Sequence, residues 1–157
     1  MKRLAVLLAT SLGAGYFPVA PGTAGSAVGV VIYLLTSHWS AGQQIVLVAV
    51  ISIVGVWAAE LGARHFNRDD PGPVVIDEVA GQLLTLLLTG VGLGGAVIGF
   101  FVFRVLDIFK PWPARRLESL HGGLGIMADD LMVAIYGNVL MRVLVLAAGR
   151  VGLAGLM

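Results

Sequence analysis

The sequence predicts an all-α, polytopic membrane protein with about five transmembrane helices, some of them short, and an N-terminal interfacial or re-entrant segment, all in one domain over residues 1–157. Three observations carry this expectation. Mean hydropathy is +0.95 with only 12% charged residues, which is membrane-protein rather than soluble-domain composition. The apolar residues fall into five stretches that exceed strand length and lack strand alternation. Glycine, proline and charge clusters separate those stretches, and at about 20 residues per span little chain is left for a soluble domain.

Taken in order, Lys2 and Arg3 followed by an apolar run to Ala9 imitate a secretory signal. The run is short and leads into Gly13, Gly15, Pro18 and Pro21 without a convincing small-x-small cleavage site, so an interfacial or re-entrant helix is expected. The first span, residues 23–36, follows Pro21-Gly22, with Thr23 or a neighbour as its cap. The second covers residues 43–63. The third and fourth, residues 78–89 and 94–106, are short, since a dozen residues rise only about 18 Å. The glycine-rich run at 90–95 between them reads as a turn, giving a hairpin rather than one long helix. Residues 131–148 form the last span.

Threading these spans in alternating directions gathers Lys2, Arg3, Arg64, Arg68, Arg104, Lys110, Arg115 and Arg116 on one side, leaving only Arg142 and Arg150 on the other. The positive-inside rule places the richer side in the cytoplasm. Seven acids fall on that same side, although they played no part in choosing it: Asp69, Asp70, Asp77, Glu78, Asp107, Asp129 and Asp130. Carboxylates are costly in hydrocarbon, so acids kept at the ends of apolar helices usually hold a cation or move a proton.

Two of these clusters are adjacent pairs at the start of a span. Asp77-Glu78 opens the third span, and Gln82 and Thr85 extend a polar stripe inward from Glu78. A helix cap accounts for Asp77 alone, but not for the second acid or the stripe. Asp129-Asp130 repeats the arrangement: a glycine-rich stretch, two acids, then the last span. Two such pairs on one membrane face would repel without a cation between them. Oxygen ligands without a His or Cys cluster suit Mg²⁺, Mn²⁺ or Ca²⁺, and His38, His65 and His121 show no metal spacing.

Arg104, Asp107 and Lys110 form one charged face at the end of the fourth span. Snorkelling beside the interfacial Trp112 would explain them, and so would a phosphate ester next to a divalent cation. Residues 13–26 are rich in glycine and proline but lack the Gly-Lys-Ser/Thr of a Walker loop. Amides at the start of the following helix could hold phosphate, with Thr23 and Ser26 nearby. The Gly25/Gly29 and Gly95/Gly99 spacings read as packing seams that would permit a homo-oligomer, and Glu60 with Arg64 as a helix-end ion pair. A net charge of +1 without a basic stripe excludes nucleic acid as a partner, and the absence of cysteine excludes thiolate chemistry.

Four motifs together resemble the phosphatidylglycerophosphatase A family of small bacterial membrane phosphatases: GYFPVAPGTAGS at 15–26, DDPGPVVIDEVAGQ at 69–82, RVLDIFKPWP at 104–113 and GGLGIMADD at 122–130. They occur in order over nearly the whole length. Leu106 departs from the pattern, which often has an aromatic residue there. The resemblance implies a Mg²⁺-dependent phosphoric monoester hydrolase acting on phosphatidylglycerophosphate among the lipids of the bacterial inner membrane, on its cytoplasmic side. It implies Asp77, Glu78, Asp129 and Asp130 as metal and catalytic acids, with Asp107 and Lys110 near the phosphate. The residues themselves suggest that Arg104 or Lys110 neutralises phosphoryl charge, with a water made nucleophilic by the cation. The competing reading is a cation- or proton-coupled transporter, motivated by Glu60 and Asn138 within spans.

Overall fold

The computed structural model describes residues 2–152 and 155, and within them the chain is all-helical, with no strand. The helices are α1 (Lys2–Ala9), α2 (Pro21–Thr36), α3 (Ala41–Phe66), α4 (Ile76–Leu86), α5 (Leu93–Phe109), α6 (Ala114–Leu117) and α7 (Gly122–Arg150). Among the described residues, only α3 and α7 are both long and apolar enough to cross a membrane alone, and α2 is a shorter apolar helix. At 1.5 Å per residue, the 11 residues of α4 rise only about 16 Å, roughly half a hydrocarbon core.

That short helix is the centre of the bundle. Nine of its residues, from Ile76 to Leu86, are buried. Its neighbours approach closely because they present glycine to it. A Cβ on Gly25 of α2 would stand 2.8 Å from the Val75 carbonyl, and one on Gly29 would stand 2.7 Å from Gln82 Cβ. Gly99 of α5 meets Leu86, and Gly137 of α7 meets Thr85. The Gly25/Gly29 spacing is thus a packing seam within the chain, between α2 and α4.

The expected hairpin break is present, with α4 ending at Leu86 and α5 starting at Leu93. Its exposed carbonyls must be satisfied within the protein, because lipid offers no donors. Asn138 Nδ2 of α7 donates to the carbonyls of Leu84, Thr85 and Leu87 at 3.1, 3.2 and 2.8 Å. Arg142 Nε holds Asn138 Oδ1 at 2.8 Å, and its Nη2 also reaches Leu87 O. From α2, Tyr33 donates to Val91 O at 2.9 Å.

Three boundaries differ from the sequence expectation. Helix α2 starts at Pro21, a residue suited to the first helical turn, so Thr23 lies inside the helix and Ala20 is the N-cap. Asp77 is not a cap either: the N-cap of α4 is Val75, and Asp77 sits in the first turn. The largest shift is in α7, which begins at Gly122, so Asp129 and Asp130 lie two turns inside a helix rather than before one. Gly123 is required there because a Cβ would overlap the Val56 carbonyl of α3. That contact also replaces a local cap, since Glu60 of α3 accepts the Gly123 N–H at 2.8 Å while ion-paired with Arg64 at 2.7 Å.

At the N-terminus, α1 packs on α3 through Ala5 and Ala9, and Ala9 O accepts the Val75 N–H at 2.8 Å. Met1, at the head of that segment, lies outside the described residues.

Replacing Asn138 with leucine removes donors from three carbonyls at the end of α4. Loss of about 1–2 kcal/mol of stability is expected, with each orphaned bond at the modest end typical of membrane interiors. Thermal unfolding in detergent checks this, and an unchanged midpoint would show that the break does not depend on Asn138.

Candidate active site

Five helix ends converge on one side of the bundle. The N-termini of α2, α4 and α7 and the C-terminus of α5 line a cavity of about 580 Å³, with the α3 end beside it at Glu60. The cavity rim comes from the 69–74 loop and from residues 118–122. These loops are fixed by packing: a Cβ on Gly15 would overlap the Pro73 carbonyl, which locks the 13–20 segment onto the 69–74 loop. Three helix N-termini bring partial positive charge to an acidic wall.

On that wall, Asp77, Glu78 and Asp130 each offer a carboxylate oxygen, and the three oxygens lie within 4.8 Å of one another. Asp77 and Asp130 are buried, at 8% and 2% exposure, and Glu78 is partly buried. Asp77 Oδ1, Glu78 Oε2, Asp129 Oδ1 and Asp130 Oδ2 are buried oxygens with no protein hydrogen-bond partner. Orphaned carboxylate oxygens at this density are strongly unfavourable unless something positive completes them. Three hard oxygen donors beside an open cavity fit an oxygen-preferring divalent ion such as Mg²⁺.

The basic residues stand beside this trio. Arg104 Nη1 pairs with Asp107 Oδ2 at 2.7 Å and reaches Ser26 Oγ at 3.5 Å. Lys110 follows α5 as its left-handed C-cap. Its Nζ donates a short hydrogen bond to Asp129 Oδ2, lies 3.2 Å from Glu118, and is 3.9 Å from both Asp107 and Asp130. Burial alone would lower the Lys110 pKa, but Asp129, Asp130 and Asp107 outweigh it and raise the value above that of an ordinary lysine. The ammonium is therefore charged at physiological pH.

The residues singled out in the sequence divide accordingly. Asp77, Glu78, Asp107, Lys110, Asp129 and Asp130 all line the cavity. Asp129 faces Lys110, whereas Asp130 joins the trio. Ser26 is fully buried and donates to Gly22 O at 3.0 Å, and neither it nor Arg104 lines the cavity. Thr23, on the first turn of α2, does not line the cavity, but its neighbour Gly22 does, against the Glu78 carboxylate. Asp69 and Asp70 sit at the rim. Glu118 was not anticipated, because only the fold of 110–118 brings it to Lys110 and no local motif marks it.

Comparison with known proteins identifies the family. The family model described as phosphatidylglycerophosphatase A matches residues 7–145. The chain is 34% identical to a phosphatidylglycerophosphatase A of Escherichia coli, over 82% of this chain and 76% of that protein. It is 32% identical to one of Haemophilus influenzae, over 83% and 82%. A protein of Bacteroides thetaiotaomicron with a provisional assignment as a phosphatidylinositol-3-phosphatase is 34% identical over 91% of this chain and 96% of its own length. No solved structure matches significantly. The chain, with its converging carboxylates and paired basic residues, belongs to the phosphatidylglycerophosphatase A family.

Proposed function

We propose that this protein hydrolyses the terminal phosphate of phosphatidylglycerophosphate, giving phosphatidylglycerol and inorganic phosphate, with Mg²⁺ as cofactor. The observation that carries the reading is the Asp77, Glu78 and Asp130 trio, with unpartnered oxygens, in a cavity that Lys110 also lines. The relatives named for phosphatidylglycerophosphate support the substrate, and the Bacteroides relative points to another phospholipid phosphomonoester. The reaction faces the cytoplasm in a bacterial inner membrane, as the basic residues at the cavity end support. Helices α2, α3, α4, α5 and α7 are the five spans, with α4 the half-length one, and the chain acts as one domain.

Each group then has a task. Asp77, Glu78 and Asp130 hold the cation, which supplies a Lewis acid for phosphoryl oxygen and acidifies water in the site. Asp107 fixes Arg104, whose guanidinium stands outside the cavity lining and adds positive charge beside it. Lys110, anchored by Asp129, adds a fixed positive charge at the wall of the cavity. Gly22 lets the start of α2 approach Glu78, where helix amides can face an anion. The exposed Phe17, Val19, Ile108, Phe109 and Trp112 flank the cavity end of the bundle and suit contact with lipid.

Phosphate release from phosphatidylglycerophosphate in mixed micelles tests the reading. Activity is expected with Mg²⁺ and its loss with chelator. Asp77→Asn and Asp130→Asn should each cost more than the roughly 10- to 100-fold typical of losing an outer-shell metal partner. No release with Mg²⁺, or faster turnover of phosphatidylinositol 3-phosphate, would reject the assigned substrate.

A subtler variant tests the backbone approach. A methyl on Gly22 would overlap the Glu78 carboxylate, so Gly22→Ala should lower kcat about 10- to 100-fold, as small displacements of reacting groups do. Gly42, on α3, has open space around it, and Gly42→Ala should leave the rate unchanged. Equal rates for the two variants would mean that Glu78 need not hold its position.

A further inference from the structure

The four carboxylates around Lys110 form a second oxygen-lined position beside the Asp77, Glu78 and Asp130 trio. Asp129 and Glu118 lie closest to its Nζ, and Asp107 and Asp130 stand 3.9 Å away. Asp130 is common to both positions: Oδ1 faces the ammonium, while Oδ2 is buried without a protein partner. A carboxylate shared between two positive centres is the arrangement of two-metal phosphoryl-transfer sites, whose ions sit about 3.5–4 Å apart and clamp the attacking and leaving oxygens. Here one of the two centres is a side chain.

We propose that the site takes a single divalent cation, at Asp77, Glu78 and Asp130, and that the Lys110 ammonium occupies the place of a second one. This rests on reading the trio as a cation site. Of the ammonium's three donors one goes to Asp129, and Glu118 is ion-paired at 3.2 Å, so Lys110 is oriented by protein rather than by substrate. A tethered cation also avoids stripping water from a second Mg²⁺, which that ion resists. The left-handed backbone at Lys110, φ 42, turns the chain at the end of α5, where its side chain reaches Asp129 of α7. Asp77, Glu78 and Asp130 would hold the divalent ion that supplies one positive centre for a phosphate, and Lys110, in the same cavity wall, would supply the other.

Counting Mn²⁺ on the detergent-purified full chain by electron paramagnetic resonance tests this. Wild type should bind one ion and show an uncoupled spectrum. Lys110→Met should bind two and show the spin coupling of a close pair, whereas Lys110→Arg should still bind one. Two ions on wild type would overturn the proposal while leaving the trio a cation site, and none would overturn both. One ion on Lys110→Met would overturn the claim that the ammonium holds a cation's place. The wild-type count decides the stoichiometry even if a variant does not fold.

Discussion

The rest of the structure depends on burying a carboxylate-bearing helix only about half as long as a hydrocarbon core is thick. Helix α4 brings Asp77 and Glu78 to the cavity and then stops at Leu86, with nine of its residues buried. Such a helix exposes carbonyls at one end and carboxylates at the other, and both must be answered by its neighbours. Asn138 and Arg142 answer the first need. The second is not met by any ion pair among the described residues, and the orphaned oxygens of Asp77 and Glu78 are what a cation would complete.

Glycine makes that arrangement fit. The transmembrane environment gives little hydrophobic drive for helix association, so stability comes from close packing and interhelical hydrogen bonds. Gly25 and Gly29 bring α2 against α4, and Gly99 and Gly137 do the same for α5 and α7. The close packing that stabilises the bundle also places Gly22 against Glu78 and Asp130 near Asp77. Structure and site therefore share residues, and a bulkier side chain in the seam would disturb both.

Much of this was legible in the sequence because it was local. Helical character, the break between α4 and α5, the Glu60–Arg64 pair and the clustering of acids all follow from composition and spacing. What failed depended on tertiary contact. The glycines at 122–125 resemble a loop, yet Gly123 is helical because the Val56 carbonyl leaves no room for a side chain and Glu60 supplies the missing cap. Asp77 resembles a cap, yet its side chain belongs to a cluster assembled from residues more than 50 positions apart. Glu118 carried no signal, since its partner is reached only through the turn of 110–118.

The deeper polar residues bear on the transport alternative. Glu60 and Asn138 invite it, as polar groups inside apolar helices often line a through-path. Both are engaged at helix ends instead: Glu60 completes the start of α7, and Asn138 the end of α4. Gln82 and Thr85 do continue inward from Glu78, but Gly29 and Gly137 bring α2 and α7 directly against them. Beyond Thr85 the next polar contacts are the capped carbonyls of the break. A transporter needs its charged centre open in turn to both sides, whereas here the acids open at one end and the other end is sealed by hydrogen bonds. That asymmetry suits chemistry on a headgroup that enters and leaves from the same face.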